Sequence, residues 1–186
     1  MTTGLCVNGE VITNLSIREF TETELHNPDY YAWLRDYKNT KYIGRHEYFL
    51  NTPFSEIENY VLDLINSSNN CFFAVYFEDA FIGTLKIGHI SWYNSVADVG
   101  FLVGRKDYRG RGFGTEILRM GCRYAFECLG IRKLEGGCFA SNIPAVKMFL
   151  KAGFTLEGTI RKKLKLGDRY DDHNLYGLFP DEFING

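Results

Sequence analysis

The sequence lacks the segments by which a chain enters or crosses a membrane. None of its apolar stretches reaches the roughly 18 to 20 residues that a membrane-spanning helix requires. Its start, MTTGLCVNGEVIT, has no basic region followed by an apolar run, the pattern of a secretory signal peptide. We therefore expect no membrane partner and no secretion.

Cysteine and histidine are sparse and are not spaced as metal ligands. The five cysteines include no C-x-x-C pair, and the four histidines are isolated from one another. An odd number of scattered cysteines favours reduced core thiols over a disulfide framework. These features predict a cytoplasmic protein that holds no metal ion.

An excess of basic residues is also missing. The net charge is -2 and the isoelectric point is about 6.1, whereas nucleic-acid-binding domains are commonly basic. We therefore expect no nucleic-acid partner. The 186 residues, 45% hydrophobic and 16% aromatic, suffice for one globular domain. Because we find no repeat, low-complexity tract or linker, we interpret residues 1–186 as a single domain.

Strand-like and helix-like patterns alternate along the chain. The segments Cys71 to Phe77 and Phe81 to Ile90 predict a hairpin. A helix from Thr115 to about Leu129 separates a strand at Asp98 from another at Lys133 to Ala140, and such a crossover favours a parallel pair. Gly167-Asp168 predicts the turn of a closing antiparallel hairpin. The fold class is therefore α/β, with a mixed sheet flanked by helices.

Two further predictions concern the first third of the chain. Ser55-x-x-Glu58 has the spacing of a capping box and predicts the start of a helix. The polar run from Lys38 to His46 lies among aromatic residues and predicts an irregular segment.

The most informative stretch is Asp98 to Thr115, DVGFLVGRKDYRGRGFGT. Val99, Phe101 and Val103 alternate in an apolar run that fits a buried strand. Arg109-Gly110-Arg111-Gly112-Phe113-Gly114-Thr115 follows, and its glycines let backbone amides approach a ligand closely. A helix beginning there attracts anions, and the two arginines suit phosphate. The stretch therefore predicts a pyrophosphate-binding turn.

Spacing distinguishes among the familiar phosphate loops. The dinucleotide fingerprint G-x-G-x-x-G fails because position 115 is Thr115 rather than glycine. The triphosphatase loop fails because no glycine precedes Lys and then Ser or Thr. Arg-x-x-Gly-x-Gly fits, with Arg109, Gly112 and Gly114 directly after an apolar strand, and it resembles the acetyl-CoA loop of the GNAT acetyltransferases. A plain glycine-rich turn is the alternative, although it does not need two arginines.

The resemblance extends over nearly the whole chain. Ala140-Ser141-Asn142-Ile143-Pro144-Ala145 followed by Lys151-Ala152-Gly153-Phe154 is similar to the family's Asn-to-Gly-Phe segment. Gly153-Phe154-x-x-Glu157-Gly158-x-x-Arg161 and the early Trp33-Leu34-x-Asp36 resemble the RimJ/RimL-like branch. That branch acetylates ribosomal-protein N-termini and also contains amino-sugar and small-amine acetyltransferases.

The resemblance implies a fold and a set of cofactor contacts. The sheet is expected to be mostly antiparallel, with a central parallel pair that splays apart around the pantetheine arm of acetyl-CoA. Strand backbone would bond the arm, loop amides would hold the pyrophosphate, and Asn142 would bond the arm from the far side. The residues so implied are Phe101, Leu102, Val103, Arg109, Gly110, Arg111, Gly112, Phe113, Gly114, Thr115, Asn142 and Phe149.

The sequence departs from the family pattern at the general acid. Many members have a tyrosine four residues before the glycine of Gly-Phe, and this chain has Phe149 there. The resemblance therefore supplies no acid. A CoA thiolate, with a thiol pKa of about 8.5, is a fair leaving group without one, and Phe149 is either packed against the thioester region or an ordinary core aromatic.

Asp98 is the candidate base, because it starts the central strand where this branch often has an acidic residue. It would accept a proton from the amine, directly or through water; the alternative is a strand-end carboxylate bonded to a neighbouring loop. The acceptor is expected to be selected by the segment from Lys38 to Phe49 and by the hairpin from Asp168 to His173.

These observations predict an N-acetyltransferase that moves acetyl from acetyl-CoA to a primary amine by direct attack. The acceptor would be a protein N-terminal α-amine, an amino sugar or another small amine, and the protein would be a monomer or homodimer. The missing tyrosine leaves open a non-catalytic acyl-CoA-binding sensor. A dinucleotide oxidoreductase is a more distant alternative.

Overall fold

The computed structural model describes residues 6–7, 10–11, 14–43 and 46–184. Two short strands form a separate antiparallel pair, β1 (Cys6–Val7) with β2 (Glu10–Val11). The main sheet contains β3 (Leu15–Glu19), β4 (Cys71–Phe77), β5 (Ala80–Ser91), β6 (Val96–Val103), β7 (Lys133–Phe139), β8 (Thr155–Leu166) and β9 (Arg169–Leu178).

The strands of the main sheet lie in the order β3-β4-β5-β6-β7-β9-β8. All neighbours are antiparallel except β6 and β7, which are parallel. This parallel pair arises because a helix connects the two strands. The expected mixed, mostly antiparallel sheet with one central parallel pair and flanking helices is confirmed.

Seven α-helices are described around this sheet. Five precede β4: α1 (Glu22–Leu25), α2 (Pro28–Arg35), α3 (Tyr37–Thr40), α4 (His46–Asn51) and α5 (Phe54–Ile65). The other two are α6 (Phe113–Arg123), which continues into a π-helical turn at Tyr124–Cys128, and α7 (Ile143–Lys151).

The two faces of the sheet carry separate apolar cores. On one face, which we call the α6 face, Ile117 and Phe149 from α6 and α7 pack with Leu85, Val99 and Leu134 of the sheet. On the other, the α5 face, Trp33 of α2 and Ile57 of α5 pack with Ala74 and Phe81, and Leu102 of β6 lies against them. This alternation of strand residues between two faces is what positions the functional residues.

The capping box that was predicted at the start of α5 is wrong. Ser55 lies inside the helix, which begins at Phe54, and the N-cap Pro53 makes no side-chain hydrogen bond. A capping box occurs instead at Thr21 and Glu24, where Thr21 N and Oγ1 donate to the Glu24 carboxylate at 2.8 and 2.7 Å.

The predicted irregular run from Lys38 to His46 is partly helical. The Asp36 side chain accepts from Lys38 N at 2.9 Å and thereby caps α3. Residues 44–45 lie outside the described part of the chain, and α4 begins at His46.

Strand β8 is the outer edge of the main sheet on the β9 side. Its side chains are mostly exposed and include Arg161, Lys162, Lys163 and Lys165. Its register with β9 shifts between Ile160 and Leu164, and Lys162 has a left-handed backbone with φ of 50°. The strand therefore combines charge with an interrupted hydrogen-bonding ladder.

Candidate functional site

A gap opens between β6 and β7 in the middle of the sheet. The two strands pair at only three positions, the last of which joins Asp98 to Glu135. Both strands continue beyond it, and β6 stays paired with β5 as far as Val103. In the described structure the other edge of β6 beyond Asp98 therefore has no strand partner. An extended ligand with amide groups can bind such an edge as an additional strand does.

Residues of β6 alternate between the two faces beside this gap. Val99 faces α6, since a Cβ on Gly121 would lie 3.2 Å from Val99 Cγ2. Asp98 and Gly100 therefore face the α5 side. A Cβ on Gly100 would meet nothing within 4 Å. The α5 face consequently has open space directly beside Asp98.

A glycine-rich turn joins the end of β6 to the start of α6. Gly110 and Gly112 have φ of 71° and 86°, values that glycine adopts without strain. Within the described residues, the backbone amides of 111–114 donate to no acceptor, whereas Thr115 N donates to Gly112 O at 3.0 Å. Four neighbouring amides at a helix N-terminus can hold a pyrophosphate, and the Thr115 amide instead closes the turn.

The two arginines of the turn have different contacts. Arg109 Nε donates to Val103 O at 3.0 Å and its Nη2 donates to Gly104 O, so this side chain fastens the turn to the end of β6. Burial lowers the pKa of Arg109, and the charge of Asp36 opposes that effect. Arg111 is exposed and its Nη1 donates to Asp107 O at 3.2 Å. Arg111 is thus the guanidinium better placed for a phosphate.

Asn142 and Phe149 lie on the β7 side of the gap. The Asn142 side chain caps α7 by accepting from Ala145 N at 3.4 Å. Phe149 is buried, its ring fills the space above Gly136 of β7, and it stacks on Tyr176 with 4.8 Å between ring centroids. Asn174 Nδ2 donates to the Tyr176 hydroxyl at 3.4 Å. The sequence reasoning did not identify Tyr176.

Asp98 forms a short hydrogen bond with a histidine that the sequence reasoning also missed. His89 Nδ1 lies 2.6 Å from Asp98 Oδ1, and Lys86 Nζ lies 3.8 Å from Asp98 Oδ2. In a regular β5 strand His89 would face α6, as Ile87 does. The β5 register shifts between Gly88 and Ser91, and His89 has φ of 47°. This bulge turns the imidazole to the α5 face, where it meets Asp98.

Two segments were predicted to select the acceptor. Both lie at the α5 face, near the end of β7. Tyr42 contacts Phe139 edge-to-face, with 5.5 Å between ring centroids, and His173 is the register partner of Phe139. The His173 ring occupies the space above Gly137, which also faces the α5 side. Burial and, second, the charge of Lys163 lower the pKa of His173 and favour a neutral imidazole.

Two acidic residues of the β8–β9 hairpin accept hydrogen bonds from the protein. Asp171 accepts from Ser141 N and Oγ at 3.1 and 2.5 Å, and Asp172 accepts from Lys162 N at 2.8 Å. Although burial acts to raise the pKa of Asp171, the bonds from Ser141 lower it. These two carboxylates are therefore already engaged by groups of the protein itself.

The part of the chain that the structure describes contains neither a membrane-spanning helix nor a cluster of metal ligands. No helix there is long and apolar enough to cross a bilayer. No group of three or more His, Cys, Asp or Glu residues there is positioned to hold a metal ion.

Comparison with known proteins gives a consistent result. The family model described as "Acetyltransferase (GNAT) domain" matches residues 14–155. The probable N-acetyltransferase YjcK of Bacillus subtilis is 31% identical over 107 residues, 56% of this chain. The ribosomal-protein-serine acetyltransferase of Escherichia coli is 28% identical over 109 residues, 59% of this chain. The aligned chain spans 59% and 60% of the length of these two relatives.

A solved structure extends the comparison to the fold. Spermidine N-acetyltransferase from Vibrio cholerae, in complex with CoA and spermine, has a TM-score of 0.83 at 18% identity. The superposition covers 91% of this chain and 97% of that protein.

Proposed function

Because this chain belongs to the GNAT acetyltransferase family, we propose that it transfers acetyl from acetyl-CoA to a primary amine by direct attack, as one domain over residues 1–186. The observation that carries this proposal is that the parts of the site adjoin one another along the sheet. The free amides of 111–114 lead to the unpaired edge of β6, and that edge ends at Asp98.

The family assignment confirms several expectations from the sequence. The enzyme class is that of acetyl-CoA-dependent N-acyltransferases, with acetyl-CoA as cosubstrate. The RimJ/RimL-like branch is also confirmed, since a ribosomal-protein-serine acetyltransferase is among the relatives. The acceptor and the oligomeric state remain predictions.

Acetyl-CoA would lie along the gap. Its pyrophosphate would accept from the amides at the start of α6, and its pantetheine arm would bond the backbone of Phe101 to Val103. The thioester would then lie near Asp98, where β6 and β7 meet, with strand amides to polarise its carbonyl. Asn142 would contact the arm from the β7 side.

The amine would approach from the α5 face, through the open space at Gly100. There it meets the Asp98–His89 pair, which accepts the proton lost as nitrogen bonds to the carbonyl carbon. His89 is exposed and can release that proton to water. No covalent bond between the acetyl group and the protein is required.

An acceptor amine of low basicity suits this arrangement. An α-amino group with a pKa of about 7.7 to 8.0 is partly neutral at physiological pH, whereas a lysine amine at about 10.4 is almost wholly protonated. We therefore favour a protein N-terminus or another weakly basic amine, such as that of an amino sugar.

Release of the CoA thiol tests the proposed function. Acetyl-CoA would be incubated with N-terminal peptides, polyamines and amino-sugar nucleotides, and free thiol would be measured. We expect amine-dependent release with at least one class. Binding of acetyl-CoA without release for any amine would contradict the proposal and favour the sensor.

Filling the space at Gly100 should impair use of the amine. A Leu side chain would occupy the path on the α5 face, so Gly100→Leu is expected to raise acceptor KM by about tenfold, the equivalent of about 1.4 kcal/mol. The Kd for acetyl-CoA should stay within about twofold, because the arm bonds backbone groups.

Gly158→Leu is the matched control. A Cβ on Gly158 also meets nothing within 4 Å, but the residue lies on β8 at the sheet edge. Steady-state kinetics on both variants would give the comparison. An unchanged acceptor KM in Gly100→Leu would show that the amine enters elsewhere.

A further inference from the structure

Two glycines flank the gap on the α5 face. Strands β6 and β7 last pair at Asp98 and Glu135. Gly100 and Gly137 each lie two residues further along, and both face the α5 side. A Cβ on Gly100 would meet nothing within 4 Å, whereas a Cβ on Gly137 would lie 2.4 Å from His173 Nε2. The His173 imidazole therefore lies over the β7 side of the gap, across from the open space at Gly100.

His173 has hydrogen-bonding capacity that the protein leaves unused. Its Nδ1 is buried and has no hydrogen-bond partner among the described residues. Burial and, second, the charge of Lys163 lower the pKa of His173, so the ring carries one proton near neutral pH. An unpaired N–H is rarer in a protein interior than an unpaired acceptor, so we place that proton on Nε2. The imidazole thus offers a hydrogen-bond donor above Gly137.

Two lysines lie on the same side of the gap. Lys163 is exposed and is close enough to His173 for its charge to act on the imidazole. Lys41 Nζ lies 4.9 Å from the ring centroid of Tyr42, whose ring contacts Phe139. In the described part of the chain, neither lysine forms an ion pair with a carboxylate. Both ammonium groups can therefore attract an anion.

The carboxylates of this region do not cancel that positive charge. Glu135 lies 3.8 Å from Lys133 Nζ, and Asp98 lies between a histidine and a lysine. The part of the β8–β9 hairpin that carries Lys163, residues 161–172, contains five basic and three acidic residues. An anionic group on the acceptor would therefore meet a surplus of positive charge here, and a second ammonium group would be repelled.

We propose that His173 and Lys163 bind an anionic group of the acceptor, a carboxylate or a phosphate, while its amine reacts beside Asp98. The inference rests on the proposed acetyl transfer and names its substrate class. His173 lies over a residue two positions beyond the level of Asp98, so at about 3.3 Å per residue the anion lies about 7 Å from the reacting nitrogen. Lys41 adds to the local positive charge.

Matched acceptors test the inference on the wild-type protein. The α-amides of alanylglutamate and alanylglutamine differ by one carboxylate, and glucosamine 6-phosphate differs from glucosamine by its phosphate. We expect kcat/KM to be at least about tenfold higher for the charged member of one pair, in line with a charge-assisted hydrogen bond. A preference in the first pair identifies a carboxylate, and one in the second identifies a phosphate. Spermidine should be a poor acceptor.

His173→Leu removes the donor and keeps the space over Gly137 filled. It should raise KM for the preferred charged acceptor by about tenfold and leave KM for the neutral member within about twofold. His173→Gln keeps an N–H near the position of Nε2 and should retain most of the preference. Gly137→Ala should act as His173→Leu does, because its Cβ would displace the imidazole. A purely structural role for His173 would raise KM for both members of a pair.

A charge substitution supplies the control. Lys163→Gln should lower the preference by about threefold, since an exposed charge contributes less than a buried hydrogen bond. Lys147→Gln removes an equally exposed charge from α7, which packs on the α6 face, and should leave the preference unchanged. Thermal shifts with acetyl-CoA would verify that each variant folds and binds.

Two results would overturn the inference. One is a wild type that does not prefer the charged member of either pair, and the other is a preference that His173→Leu retains. In either case an amine is still acetylated, so the proposed function stands. A wild type that releases no thiol with any amine would overturn the proposed function and this inference together.

Discussion

A His89→Asn variant is expected to lose about a thousandfold in kcat, within the 10² to 10⁴ range of general-base catalysis. The substitution removes the imidazole that lies 2.6 Å from Asp98. Asparagine tolerates the left-handed backbone that His89 adopts, so the bulge should persist. Affinity for acetyl-CoA should be unchanged, because His89 lies on the α5 face, from which we propose that the amine enters.

Two measurements separate a chemical role of His89 from a structural one. Added imidazole should restore part of the rate to His89→Asn, since it can enter the exposed space that the side chain leaves. Ser95→Asn is the control, because Ser95 also has a left-handed backbone, with φ of 52°, and lies in the connection that follows β5. Equal losses in both variants, or a wild-type rate in His89→Asn, would mean that the proton leaves by another route.

The second large effect is expected at the glycine turn. Acetyl-CoA at one hundred times its Kd should stabilise the wild-type fold by about 2.7 kcal/mol. Gly112→Val should abolish this stabilisation, because Gly112 has φ of 86° and its amide is one of the four that we propose to hold the pyrophosphate. A branched side chain there would displace the amides at the start of α6.

Backbone strain alone should not abolish the stabilisation by acetyl-CoA. Gly130 has φ of 65°, a Cβ there would meet nothing within 4 Å, and the residue lies beyond the other end of α6. Gly130→Val should therefore lower the melting temperature and keep the shift with acetyl-CoA. Thermal melts with and without ligand provide the comparison. A full shift in Gly112→Val would show that the pyrophosphate binds elsewhere.

Local patterns explain why much of the fold could be predicted. The turn from β6 to α6 depends on Gly110 and Gly112, and its positive φ values are set by residues that are adjacent in sequence. The cap at Asn142 is equally local. The parallel pairing of β6 with β7 follows from the helix between them. The false capping box at Ser55 shows that a spacing alone does not determine where a helix begins.

Residues that depend on non-local contacts could not be predicted. His89 reaches Asp98 only because a bulge reverses the direction of its side chain, and strand alternation would have placed it on the other face. The stacking of Tyr176 on Phe149, 27 positions earlier in the chain, likewise depends on the pairing of β9 with β7. The role of Arg109 in fastening the turn was likewise hidden, since an arginine beside glycines equally predicts a phosphate ligand.

The sequence and backbone of the edge strand β8 affect how molecules of this protein associate in concentrated solution. A long, regular, apolar edge strand is a template for β-pairing between chains and hence for aggregation. Here Leu156 and Ile160 are exposed, but a run of basic residues follows and the left-handed Lys162 interrupts the ladder. Two such edges would repel each other and could not align their hydrogen bonds. The edge of β8 is therefore a poor template for β-pairing between molecules, although β9 is the only described strand that pairs with it.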